Sequence, residues 1–226
     1  MQFLNDTLTE RPATRVRIRQ LADRYLNGLT FAASTGATAK TFERFTGMTH
    51  DYLLNEWFGE DRKPNTADDT TSRMTTCNSF VGKYAHIIPP TKRKSANFMG
   101  FYYKLECKKA KISKAYFSQK EHPNLRPGYG DIVKFTRHHV AVSLGIHGGK
   151  WNRIESGQGG RRSGFDAIVF RKNKLYLPSE IEGWVNLAIL FDYDELLRER
   201  AKLEKMWNDS PWETMLKAQR AEHRRR

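Results

Sequence analysis

Between residues 130 and 170 the chain switches period, and that switch limits the fold more than any other feature. "GDIVKF" alternates as a strand, "HVAVSLGI" as a second, "HGGK" is a tight turn and "WNRIESG" returns as a third. "FDAIVFRK" and "KLYLPSEIEGWVNLAILF" have the content of further strands. Upstream the period is helical. From Pro12 to Leu29 the apolar residues Val16, Ile18, Leu21, Ala22, Tyr25 and Leu29 recur at helix spacing, and a second helical stretch covers Thr38 to Phe58. "GEDRKPNTADDTTSR" is a polar loop. "TTCNSFVGKYAHII" follows as a helix that Thr75 or Thr76 can cap, with Phe80, Val81, Tyr84, Ala85 and Ile88 facing a core and Pro89-Pro90 ending it. From Asp192 the chain is helical again and closes in "RAEHRRR". Helices, an antiparallel sheet and a terminal helix give an α+β class.

At 226 residues the chain suits one domain with added helices at both ends. The expected division is an N-terminal helical segment over 1–70, a core over 71–191 and a basic helix over 192–226. Residues 91–127 form a basic, aromatic insert of weak periodicity, in which "NFMGFYYKL" fits a helix or an irregular surface.

Charge is the second constraint. There are 39 Lys and Arg against 25 Asp and Glu, a net +14, and eleven Lys/Arg against two Glu between Gly82 and Arg126. Such a surface attracts polyanions: nucleic acid, acidic membrane or an anionic cell envelope. Two cysteines thirty positions apart exclude a disulfide scaffold and a CxxC zinc site. The first twenty residues hold no apolar stretch of the kind a Sec signal needs, which sets the expectation of synthesis in the cytoplasm without one. "VNLAILF" is too short to span a bilayer.

Within this frame Cys77 stands out. It follows a capping threonine, so it falls in the first turn of its helix, where the helix dipole favours a thiolate and unpaired backbone N–H groups can stabilise an oxyanion. A lone cysteine in an apolar helix is more often a small buried hydrophobe, so a base is required before chemistry is assigned. "RHHVAVSLGI" puts His138 and His139 at the start of a strand. By alternation His139 shares a face with Ala141, Ser143 and Gly145, small residues that leave room for the Cys77 helix; His138 shares the more apolar face of Val140, Val142 and Leu144. His139 is the candidate base and His138 the alternative. A third polar group must orient the imidazole through its other nitrogen. Across the hairpin, Glu155 lies near the start of the His139 strand; Ser156 and Gln158 are alternatives, and Gln158 could instead line the cleft.

A cysteine at a helix start, then "PGYGDIVKF", then "HHVAVSLGI", then a hairpin to a polar residue resembles the papain-like cell-wall peptidases of the NlpC-type and CHAP amidase families, over about Thr75 to Val169. The chain departs from their pattern in the two extra residues of "RPGYGD" and in the long basic insert. The resemblance implies a papain-like core with a Cys-bearing helix packed on an antiparallel sheet. It implies Cys77 as nucleophile, His139 as base and Glu155 as orienting group, with no metal or organic cofactor. The implied activity is a cysteine amidase or endopeptidase cleaving a peptide bond of bacterial peptidoglycan through an acyl-enzyme. Wall amidases without signals occur among antibacterial effectors and phage lysins. The implied partners are therefore the peptidoglycan peptide, a cognate immunity protein and a component of a secretion machine, with delivery to the periplasm or wall of a target bacterium.

Three rival readings remain. The same fold can carry out deamidation, transglutamination or acyl transfer, or serve as an inactive binding module. A basic nucleic-acid-binding protein with a structural Cys77 fits "KKAKISKAYFSQK" and the Arg tail, although no nucleic-acid motif is present.

Overall fold

The computed structural model describes residues 9–34, 44–45, 76–87, 113–137, 139–156 and 168–208. The helices are α1 (Pro12–Ser34), α2 (Thr76–Ile87) and α3 (Leu187–Asn208). The strands are β1 (Tyr116–Ser118), β2 (Ile132–Phe135), β3 (Val140–His147), β4 (Lys150–Ser156), β5 (Ile168–Leu175) and β6 (Ile181–Val185). They form one six-stranded antiparallel sheet in the order β1-β6-β2-β3-β4-β5, an α+β arrangement with helices packed on the sheet. The chain divides into two compact units, Met1–Phe191 and Asp192–Arg226. The second contains the continuation of α3, with an exposed Arg200–Glu204 pair one helical turn apart.

The strands around the hairpin form where the period-two pattern puts them. His147 pairs with Lys150, so the turn is the two residues Gly148 and Gly149, with φ of 55° and 73°. Two successive positive φ values are what a two-residue hairpin needs to match strand twist, and glycine adopts them without strain. The register of β3 slips between Ser143 and Ile146, at Gly145 with φ of 98°.

One face of the sheet is aliphatic. Ile132, Val140, Val142, Ile154 and Ile168 pack with Ile18, Ala22, Leu26 and Leu29 of α1, and with Phe80, Val81 and Tyr84 of α2. The other face is aromatic: Val133, Phe135, Ala141, Trp151, Tyr176, Ile181 and Trp184. Its rings stack, with Phe135 and Trp151 centroids 5.6 Å apart, and the Trp151 indole N–H donates to Ser143 Oγ at 3.1 Å.

The turn "GYGD" joins the layers. Gly130 takes φ of 89°, and a Cβ there would meet Ile18 at 2.8 Å and the Tyr84 hydroxyl at 3.1 Å. Tyr84 Oη donates to the Gly130 carbonyl at 2.9 Å. Next in sequence, buried Asp131 accepts four N–H groups: Arg15 Nη1 at 2.6 Å, Arg15 Nη2 at 3.3 Å, Gly128 N at 2.8 Å and Leu187 N at 3.0 Å. One carboxylate thereby ties α1, the β2 entry and the start of α3 together. Arg15 also bonds Glu10 and the Tyr129 carbonyl.

Four expectations change. "VNLAILF" is not strand throughout: β6 ends at Val185 and α3 starts at Leu187, five residues before Asp192. A short apolar run does not separate strand from buried helix by period; here Asn186 decides, its Oδ1 accepting Ile189 N at 3.0 Å as an N-cap. In α1 the buried stripe is Ile18, Ala22, Leu26 and Leu29, while Val16 and Tyr25 are 55% and 38% exposed. β1 lies inside the stretch expected to be an irregular insert and pairs with β6 through Phe117 and Trp184. The α2 helix packs against β3 and β4 on the Val140–Val142–Leu144 face, not on the face of Ala141 and Ser143, where Trp151 and Phe135 fill the space that small residues leave. The helical stretch 38–58, apart from residues 44–45, the "NFMGFYYKL" segment and Ile88 lie outside the described residues. Phe45 packs on Phe80 with ring centroids 5.3 Å apart.

Candidate active site

Three elements converge at one end of the β3–β4 hairpin. α2 begins at Thr76, so Cys77 sits in its first turn, and the residue is 6% exposed and buried in the aliphatic core. His139 lies one residue before β3. Its backbone is set by Phe135 N, which donates to its carbonyl at 2.8 Å and closes the β2–β3 connection, and its ring lies 5.4 Å from that of Phe135. Glu155 is on β4, paired with Ala141 of β3 and Val169 of β5, so the sheet fixes its register against the start of the His139 strand.

The imidazole connects the other two groups. His139 Nε2 lies 3.2 Å from Glu155 Oε2, and the ring also hydrogen-bonds the Cys77 side chain. Burial alone would push the imidazole down. The bonds and charges of Cys77 and Glu155 outweigh burial and hold it up at about 9. Glu155 is 2% exposed, which by itself would raise it, but the His139 bond and the charges of Arg153 and His139, with a bond from Arg171, hold it at about 2. The dyad thus favours an imidazolium facing a carboxylate.

Two residues outside the expected site complete the cluster. Arg153 Nε donates to Glu155 Oε2 at 2.9 Å and Arg171 Nε donates to Glu155 Oε1 at 2.8 Å. Arg153 was legible in "WNRIE", since residues two apart on a strand share a face. Arg171 required the β4–β5 register, in which it pairs with Arg153.

Ser156 is buried on the opposite face of β4 with Ile154, and its Oγ has no hydrogen-bond partner among the described residues. It is not on the imidazole. His138 and Gln158 lie outside the described residues. Among the described residues no group of three His, Cys, Asp or Glu side chains is placed to hold a metal ion, and no helix is long and apolar enough to cross a membrane. A cleft of about 960 Å³ does exist elsewhere, on the β1–β6 side, lined by Tyr116, Phe117, Trp184, Lys114 and Arg126 among others. Two of its carboxylates are occupied, Glu182 by Lys134 at 2.6 Å and Glu10 by Arg15 at 2.6 Å.

Comparison of the chain with protein-family models, with curated proteins and with solved structures found no match. The resemblance to papain-like wall enzymes therefore rests on the sequence motifs alone.

Proposed function

We propose that the chain is a papain-like cysteine amidase or endopeptidase acting on a peptide bond of bacterial peptidoglycan. The observation that carries this reading is the hydrogen-bonded line Cys77–His139–Glu155, drawn from α2, the β3 entry and β4. With Nε2 directed at Glu155, Nδ1 is the ring nitrogen for the thiol. Proton transfer from Cys77 to His139 gives a thiolate beside an imidazolium that Glu155 stabilises. The thiolate attacks the scissile carbonyl, and N–H groups of the first α2 turn stabilise the oxyanion. His139 donates its proton to the leaving amine, an acyl-enzyme forms, and the neutral ring then takes a proton from water, whose oxygen attacks the thioester and releases Cys77.

The substrate class rests on the motif order around "GDIVKF" and "HHVAV" and on a net charge of +14, which suits an anionic envelope by salt-sensitive attraction. The same reading makes the chain an antibacterial effector, carried by secretion machinery to a target's periplasm and matched by an immunity protein in its producer. Digestion of purified sacculi, with products read by mass spectrometry, tests it. Wild type should release muropeptide fragments with one new amine and one new carboxylate per cut, and Cys77→Ala should release none. Intact sacculi with the wild-type chain, under conditions where Cys77 is alkylated rapidly, would overturn the substrate and leave a cysteine enzyme of other specificity. Growth separates the nucleic-acid rival: toxicity in the bacterial cytoplasm that survives Cys77→Ala, with no lysis from the periplasm, would overturn the amidase reading.

A further inference from the structure

Glu155 is held more firmly than orienting an imidazole requires. Both carboxylate oxygens are engaged by guanidinium groups, Oε1 by Arg171 at 2.8 Å and Oε2 by Arg153 at 2.9 Å, and both contacts are shorter than the 3.2 Å to His139. The two arginines face each other across β4 and β5. Like charges directly opposite destabilise a sheet pair, so the arrangement holds because the carboxylate lies between them. Arg153 is fixed further by its guanidinium lying 4.7 Å from the Trp151 ring centroid and 5.1 Å from that of Phe135, the ring that also packs on His139. A guanidinium keeps its charge at every working pH.

We propose that Arg153 and Arg171 are positioning residues that clamp Glu155 and offset its charge, so that it orients His139 without turning the ring into a permanent proton trap. The proposal rests on the Cys–His reading above. The described charged and titratable groups that meet the ring or its carboxylate partner are Cys77 from α2, Glu155 and Arg153 from β4 and Arg171 from β5. A buried carboxylate facing the imidazole alone would favour the imidazolium so strongly that proton delivery to the leaving amine would be slowed. Two fixed positive charges on the carboxylate, Arg153 on the oxygen it shares with His139 and Arg171 on the other, oppose that. They also stop the carboxylate from rotating, because each oxygen already has a partner it would have to leave.

The sign of one titration decides. His139 is followed by NMR in the intact chain, alongside the pH dependence of Cys77 alkylation by iodoacetamide. Arg171→Gln keeps a donor and removes a charge; it should raise the proton affinity of His139 roughly threefold to tenfold, the scale of one screened unit charge acting across the intervening carboxylate. Arg171→Lys, which keeps the charge, should return the midpoint close to wild type. A purely structural clamp gives a different result: loss of Arg171 would loosen Glu155 and let the midpoint fall, and Lys would not restore it. An unchanged or lowered midpoint in a folded Arg171→Gln overturns the proposal. If that variant does not fold, Arg153→Gln removes the other charge and is judged by the same sign. Cys77→Ala keeps the two questions apart. If it leaves the His139 midpoint unmoved, the Cys–His coupling fails, whatever the arginine variants show.

Discussion

Asp131 and Glu155 are both buried carboxylates paired to arginine, and their remaining partners differ in kind. Asp131 receives four N–H groups from Arg15, Gly128 and Leu187, none of which titrates in the ordinary range. Glu155 receives Arg153, Arg171 and His139, and the last of these changes charge at about 9 and also bonds a cysteine. The first site's donors keep their protons, and it serves as a staple between α1, the β2 entry and α3. The second has a mobile proton. Burial and ion pairing alone therefore do not separate a candidate site from a staple; a titrating donor does.

The largest expected effect lies on the Glu155 side. Cys77→Ala and His139→Ala should each lower sacculus digestion by about a thousandfold or more, equivalent to roughly 4 kcal/mol of transition-state stabilisation. Melting temperature should change by only a few degrees, and Cys107→Ala should keep most of the activity. Activity loss and alkylation that both track Cys107 would remove the site from Cys77.

The reverse split is expected at Asp131. Arg15→Ala should cost about 3–5 kcal/mol of stability, because it strands a buried carboxylate, as read by denaturant unfolding. The pH profile of Cys77 alkylation in the remaining folded protein should match wild type. A shifted profile would merge the two sites and break the comparison.

Glu155→Gln should fall between, reducing digestion about ten- to a hundredfold, less than His139→Ala, because an amide still holds the ring but does not stabilise its charge. Its effect on stability should depend on pH. Glu155 is depressed to about 2, so its contribution is complete above its ordinary value and is lost as pH falls towards 2. His139 is raised to about 9, so its contribution is complete below its ordinary value and is lost as pH rises through 9. Wild type and Glu155→Gln should converge in stability at the acid end; a constant gap from pH 2 to pH 7 would count against the pairing. Tyr84→Phe is the smallest, about 1 kcal/mol by chemical denaturation, for one hydrogen bond to the Gly130 carbonyl.

What was legible in the sequence was whatever depends on neighbours in the chain. Alternation located β2, β3 and β4, and Gly148-Gly149 located their turn. Alternation also put Glu155 opposite the start of the His139 strand, and 3.6-residue spacing put Phe80, Val81, Tyr84 and Ala85 in the core. What depended on distant pairing was hidden. The Arg15–Asp131 bond joins residues 116 positions apart, and Arg171 meets Glu155 only through the β4–β5 register. The face taken by α2 departs from expectation for a physical reason: small residues on a strand leave space, but a tryptophan across the hairpin can claim it before a helix does. The start of α3 was missed because an apolar run carries no period of its own, and β1 because three residues are too few to show one.

The order β1-β6-β2 also sets a timetable. β6 lies between two strands made long before it, so β1 has no partner within the sheet, and β2 only one, until residue 185 has left the ribosome. At about 5–20 residues per second, β1 waits several seconds for that partner. The β2–β5 meander can assemble meanwhile from successive hairpins, whereas the non-local insertion of β6 bears the larger loop-closure entropy and comes late. Leu187 N–H reaches Asp131 only with it. The nascent chain thus carries His139 and Glu155 into register before the sheet that holds them is complete.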